Sequence, residues 1–96
     1  MRLSERDRKS IKDTILSFDK KARVFLFGSR TDDSKTGGDI DLLILSDFID
    51  ASSKNYILVK LYDEIGEQKI DLVFTTSFER DPNPFIRLVA QEAVEL

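Results

Sequence analysis

The 96-residue sequence contains no cysteine and no histidine. Their absence excludes disulfides, thiol nucleophiles, imidazole general bases and the usual zinc ligands together. No apolar run reaches the roughly 18 or more residues that a membrane-spanning helix needs. The charged amino-terminal segment is not followed by the apolar stretch of a secretory signal, so a cytoplasmic protein is expected. A concentrated basic surface is also missing. The formal charge is -3, and it is unevenly spread: residues 1–23 carry eight Lys/Arg against four Asp/Glu, and residues 24–96 carry seven against fourteen. That balance makes duplex DNA a poor partner. The basic first segment reads as a solvated helix face rather than a protein- or RNA-docking one.

What remains for chemistry is carboxylates, hydroxyls, Lys, Arg and backbone amides. This donor set favours hard, oxygen-binding cations such as Mg²⁺ over zinc. With 41% hydrophobic residues, and no repeat, low-complexity tract or linker, residues 1–96 read as one domain. A chain of this size buries about 60–70% of its unfolded surface.

Ser4 is a helix-start signal, and Ile11, Ile15 and Phe18 share one stripe, so residues 4–20 are predicted to form an amphipathic helix. Residues 22–27, rich in β-branched and aromatic side chains, form a predicted strand ending at Gly28. After a polar, turn-rich loop, residues 39–45 form a second strand whose apolar part is expected to be covered on both faces. Ser52 or Ser53 is expected to cap a helix reaching about Glu64, with Ile57, Leu61 and Ile65 on its buried stripe and Gly66 as its stop. Residues 69–75 form a third strand. Asn83-Pro84 opens a last helix, on which Phe85, Leu88, Val89, Glu92, Ala93 and Leu96 outline an amphipathic face. The predicted order is α-β-β-α-β-α.

Asp39 and Asp41 stand two apart on a strand and therefore project to the same face. Like charges so close repel and raise one pKa unless a cation lies between them. Asp71 is a third acid among apolar neighbours, where a charge is costly without a partner. If its strand pairs beside the second, three carboxylates meet at one rim of the sheet. Such a cluster suits two-metal phosphoryl or nucleotidyl transfer. Gly28-Ser29-Arg30 follows the first strand: the glycine lets backbone approach a phosphate, and the serine hydroxyl and following amides can donate to it. The Walker spacing is absent, which excludes a P-loop NTPase. Taken singly, each feature has an ordinary structural role: acids at a solvated strand start, an edge-strand charge that discourages aggregation, a plain strand exit. Their conjunction points to a site.

Gly28-Ser29, nine residues, Asp39-Ile40-Asp41, and later Ile70-Asp71-Leu72 resemble the pattern of the polymerase-β-like nucleotidyltransferase superfamily, and within it the minimal nucleotidyltransferases encoded beside a HEPN-domain partner. The resemblance spans roughly residues 22–76. It implies an α+β core, a mixed sheet with helices packed on it, and attack by an acceptor hydroxyl on the α-phosphate of a Mg²⁺-bound nucleoside triphosphate. Carried over residue by residue, it assigns Gly28 and Ser29 to the triphosphate, with Arg30 as a weaker phosphate contact. Asp39 and Asp41 fall to both metals, and Asp71 to the metal that activates the acceptor.

Larger members carry an added domain that grips base and acceptor, for which this chain has no room. The missing contacts are expected from a partner or a self-associated copy. In the HEPN-paired families the partner is a toxin whose tyrosine is adenylylated, so the resemblance implies an antitoxin-type transferase using ATP. The alternative is a non-catalytic module that neutralises or scaffolds a partner by steric masking. Transfer to a small molecule is less well supported, since no acceptor-binding segment is visible. Of the other residues, Lys35, Lys54 and Lys60 read as surface charges, Asp32 and Asp33 as turn formers, and Tyr56 and Tyr62 as partly buried packing.

Overall fold

The computed structural model describes residues 2–34 and 38–96. The expected surface charge Lys35, with Thr36 and Gly37 of the turn-rich loop, lies outside them. Helix α1 (Glu5–Phe18) starts where expected, the Asp7 N–H donating to Ser4 Oγ at 3.0 Å. It buries Ile11 and Ile15 fully, while Phe18 at its end is 40% exposed. Strand β1 (Arg23–Phe27) leads into a 3₁₀ turn (Gly28–Thr31), and β2 (Ile40–Leu45) follows the polar loop.

Helix α2 (Lys54–Ile65) stops at Gly66 as expected but starts differently. Asp50, not Ser52 or Ser53, supplies the capping oxygen: its carboxylate accepts from the Ser52 N–H at 2.9 Å and holds a 3₁₀ turn, Ala51–Ser53, that feeds the helix. The Ser53 side chain makes no capping bond. An ionised acceptor holds an amide more strongly than a hydroxyl does.

Strand β3 (Ile70–Thr75) pairs parallel to β2 through the α2 crossover, and β1 is antiparallel to β2. The period-2 alternation of the strands sorts the core into two layers. On one face Val24, Leu26, Ile40, Leu42, Ile44, Ile70 and Leu72 meet Ile11 and Ile15 of α1 and Ile57 and Leu61 of α2. On the other, Phe25, Phe27 and Leu43 pack against Ile86 of helix α3 (Pro84–Ala90), with Val73, Phe78 and Val89 around them. The near-continuous apolar run of β2 is thus covered on both sides. Each fully buried Ile or Leu contributes about 1.5–3 kcal/mol. The result is the expected α+β arrangement, a mixed sheet with helices packed on it.

The carboxy-terminal segment departs from expectation. Asn83 caps α3, accepting from the Phe85 N–H at 3.0 Å, but the helix ends at Ala90. The chain then turns, and Val94–Glu95 forms β4 antiparallel to β1, giving the order β3-β2-β1-β4. Here cross-strand partners override helical periodicity: Arg23 donates to both Glu95 carboxylate oxygens at 2.9 and 2.8 Å, and Leu96 is buried in the layer beneath α1. Of the predicted helical stripe, Leu88 is 63% exposed. Tyr56, expected to pack, is 75% exposed on α2.

Candidate active site

The ladder registers bring the candidate residues together. Phe27 of β1 pairs with Asp41 of β2, and Asp41 with Asp71 of β3, forming one cross-strand row. Side chains paired across a ladder share a face, and Phe27 fixes which one: the α3 side of the sheet. The row lies at the rim where β1 exits and β2 and β3 begin. Asp39 sits one residue before β2 starts, next to the Ile40 N–H that donates to Lys69 O at 2.9 Å and sets the strand register.

Asp41 is half-buried, and its carboxyl is pushed up to about 6. Burial is the largest cause, followed by the charge of Asp71 and a hydrogen bond shared with it, then the charge of Asp39; Lys69 opposes them. The Lys69 ammonium lies 3.3 Å from Asp39 Oδ2. It is held above its ordinary range chiefly by its hydrogen bond to Asp39 and that residue's charge, and further by Asp71 and Asp41. One exposed ammonium thus partly neutralises three acids, and the strain at Asp41 persists.

Among the described residues, no three side chains form a ready-made metal cage. The chemistry of the set nonetheless fits a hard divalent cation. All donors are carboxylate oxygens, a protein cation already stands among them, and Asp41 is destabilised in its charged form, first by burial and then by its acidic neighbours. Mg²⁺ is commonly held in this way, by a few carboxylates with substrate phosphates and water completing its shell.

Two glycines let the halves of the motif meet. Gly28 has φ +78°, and a Cβ there would run into the Asp41 carboxylate. Gly38 has φ +94°, and a Cβ there would run into Ser29 Oγ. The Gly28-Ser29 turn and the segment of Asp39 and Asp41 therefore approach through bare backbone, at positions where an L side chain would be both strained and obstructed. Gly38 was not among the residues picked from the sequence, although its place directly before Asp39 was the available signal. Lys69, one residue before β3 begins, joins the cluster through its ion pair with Asp39, which the sequence pattern alone does not display.

Ser29 is part-buried beside Gly38, within the 3₁₀ turn. The Arg30 guanidinium is engaged with backbone, donating through Nε to Gly38 O at 3.2 Å and through Nη1 to Arg2 O at 3.0 Å. Asp32 forms the expected turn, accepting from the Ser34 N–H at 2.9 Å. Lys60 is a surface charge 3.8 Å from Glu64. A cavity of about 340 Å³ lined by residues including Asp19, Lys21, Ser46 and Phe48 lies at the opposite end of the sheet and contains none of the motif residues.

Among the described residues, no helix is long and apolar enough to cross a membrane. Among curated proteins compared with the chain, none matches it. The profile of the family described as "Nucleotidyltransferase domain" matches residues 8–95. That span takes in nearly the whole chain, from within α1 to β4, and with it the glycine turn and all three acids; the chain belongs to the nucleotidyltransferase domain family, of the polymerase-β-like superfamily.

Proposed function

We propose that this domain transfers AMP from Mg²⁺-ATP to a hydroxyl of a protein partner, a tyrosine of a HEPN-type toxin, and so acts as an antitoxin. The observation that carries the reading is the Phe27–Asp41–Asp71 row with Gly28 pressed against Asp41. It sets the Gly28-Ser29 turn, which this reading gives to phosphate, directly beside acids only partly neutralised by Lys69.

In this reading the Gly28-Ser29 turn grips the β- and γ-phosphates through amides and the serine hydroxyl. Asp39 and Asp41 would hold the metals, and Asp71 the one that activates the acceptor. Bound Mg²⁺ supplies charge stabilisation for the in-line displacement. The acceptor oxygen forms a bond to the α-phosphorus as the bond to the bridging oxygen of the β-phosphate breaks, and pyrophosphate departs with that electron pair. The hydroxyl proton has an acceptor at hand in Asp71, which is exposed at the rim. Lys69, paired with Asp39 Oδ2 at 3.3 Å, would have to yield that oxygen to a bound cation. Arg30, occupied with two backbone carbonyls, supports the turn more than it contacts phosphate.

A masking role is the second reading, and the exposed Tyr56 and Val59 on α2 favour partner contact in either case. Intact mass of the partner after co-expression separates the two. Transfer predicts a gain of whole AMP units alongside rescue of growth. Rescue with an unmodified partner leaves masking as the function.

A further inference from the structure

Arg2 lies far from the family pattern in sequence, yet it is bound to the turn that the pattern begins with. Its backbone N–H donates to Arg30 O at 2.7 Å, its Nε to Asp32 O at 2.9 Å and its Nη2 to Ser29 O at 2.9 Å. Arg30 answers by donating to Arg2 O, and its Nε reaches Gly38 O. The two arginines thus tie three segments together: the residues before α1, the turn Gly28–Thr31, and the glycine that precedes Asp39.

These contacts go to the carbonyl oxygens of Ser29 and Arg30 in a one-turn 3₁₀ segment and of Asp32 just after it. Such a segment leaves its last carbonyls without helical partners and is weakly stable alone. A guanidinium is suited to this task because its planar fork spans two acceptors at once and stays charged, which an ammonium cannot reproduce. The fork takes up backbone carbonyls, and the Ser29 hydroxyl lies against Gly38, where an added Cβ would meet its Oγ.

We propose that Arg2 is a positioning residue for nucleotide binding, with Arg30 as its reciprocal partner: it fixes the Gly28–Thr31 turn in its phosphate-ready shape before nucleotide arrives. The inference rests on the nucleotide-binding reading of that turn. It also reassigns Arg30 from phosphate contact to support. Pre-ordering a weak turn removes an ordering cost from binding, so losing the fork should weaken affinity while leaving the hydrophobic core intact.

The test uses Arg2→Gln and Arg2→Lys with two measurements. The first is hydrogen exchange of the free protein across residues 29–32. The second is calorimetric titration with Mg²⁺-ATP. Both variants should speed exchange in that segment and leave the protected amides of β1 and β2 unchanged. Both should weaken Mg²⁺-ATP about tenfold or more, as loss of a supporting contact commonly does. Full rescue by Arg2→Lys would overturn the proposal in favour of simple charge attraction. Unchanged exchange at 29–32, or faster exchange throughout the chain, would overturn it as well. If the wild-type protein does not bind Mg²⁺-ATP, the nucleotide reading fails and the binding role falls with it, while the exchange data still decide whether Arg2 holds the turn. Wild-type binding matched by both variants would refute Arg2's role and leave the reading standing.

Discussion

Replacing Asp41 with asparagine should stabilise the metal-free protein, by an amount that depends on pH. The Asp41 carboxyl titrates at about 6 in the folded chain against an ordinary 3.8. Because the folded-state pKa is the higher one, both states are protonated below about pH 4 and no penalty exists. As pH rises through 6 the folded state must surrender a proton it holds more tightly than the unfolded chain does, and stability is lost. Two units correspond to about 3 kcal/mol. Asp41 is only half-buried, so solvent screening reduces this to about 1–2 kcal/mol. Asparagine is nearly isosteric and carries no charge to desolvate. The variant should therefore match the wild type near pH 4 and exceed it by about 1–2 kcal/mol at pH 7.5, measured by urea unfolding in chelated buffer. Saturating Mg²⁺-ATP should reverse the order, because only the wild type gains linkage stabilisation, about 2.7 kcal/mol at a hundredfold excess over Kd. A difference that is flat across pH 4 to 7.5, or a destabilised variant at pH 7.5, would refute the account of a half-buried carboxylate held among like charges.

Gly28→Ala should lower stability by about 1–2 kcal/mol from positive φ alone. That is a drop of several degrees in Tm for a domain of this size, with Mg²⁺-ATP binding lost because the new methyl displaces Asp41; unaltered binding in calorimetry would remove the close-approach argument. Ser29→Ala should leave Tm within a degree or so and weaken Mg²⁺-ATP by one charge-assisted hydrogen bond, about 1.5–3 kcal/mol, read from the ratio of Kd values. Asn83→Ala should cost about 1 kcal/mol through the α3 cap without changing Mg²⁺-ATP affinity; a matching loss of affinity would mean that α3 shapes the site.

Much of the site was legible because it depends on local rules. Alternation put Asp41 and Asp71 each on the face opposite Ile40, Leu42, Ile70 and Leu72, and the crossover length of α2 suits the parallel pairing that aligns them. The Ser4 and Asn83 caps and the Gly66 stop likewise follow from residue chemistry within one turn of chain. What escaped depends on distant partners. Residues 91–96 continue a helical stripe, but the edge of β1 and the Arg23–Glu95 ion pair draw Val94–Glu95 into β4. Lys69 and Arg2 gain their importance only from what the fold sets beside them, Asp39 in one case and Ser29 in the other. Asp50 displaced Ser52 and Ser53 as cap because a 3₁₀ turn precedes α2, an offset that helix periodicity does not register.

Whether the Asp41–Asp71 rim carries nucleotidyl transfer is decided by label transfer from ATP to the proposed toxin partner co-expressed with this chain. Mg²⁺-ATP labelled at the α- or the γ-phosphate is incubated with the complex containing wild-type protein or Asp71→Asn, matched for folding and for nucleotide binding. α-Label should appear on the partner with the wild type only and γ-label with neither, while the silent variant still binds ATP. Undiminished α-label transfer by Asp71→Asn, or transfer of the γ-label instead, would contradict nucleotidyl transfer at that rim.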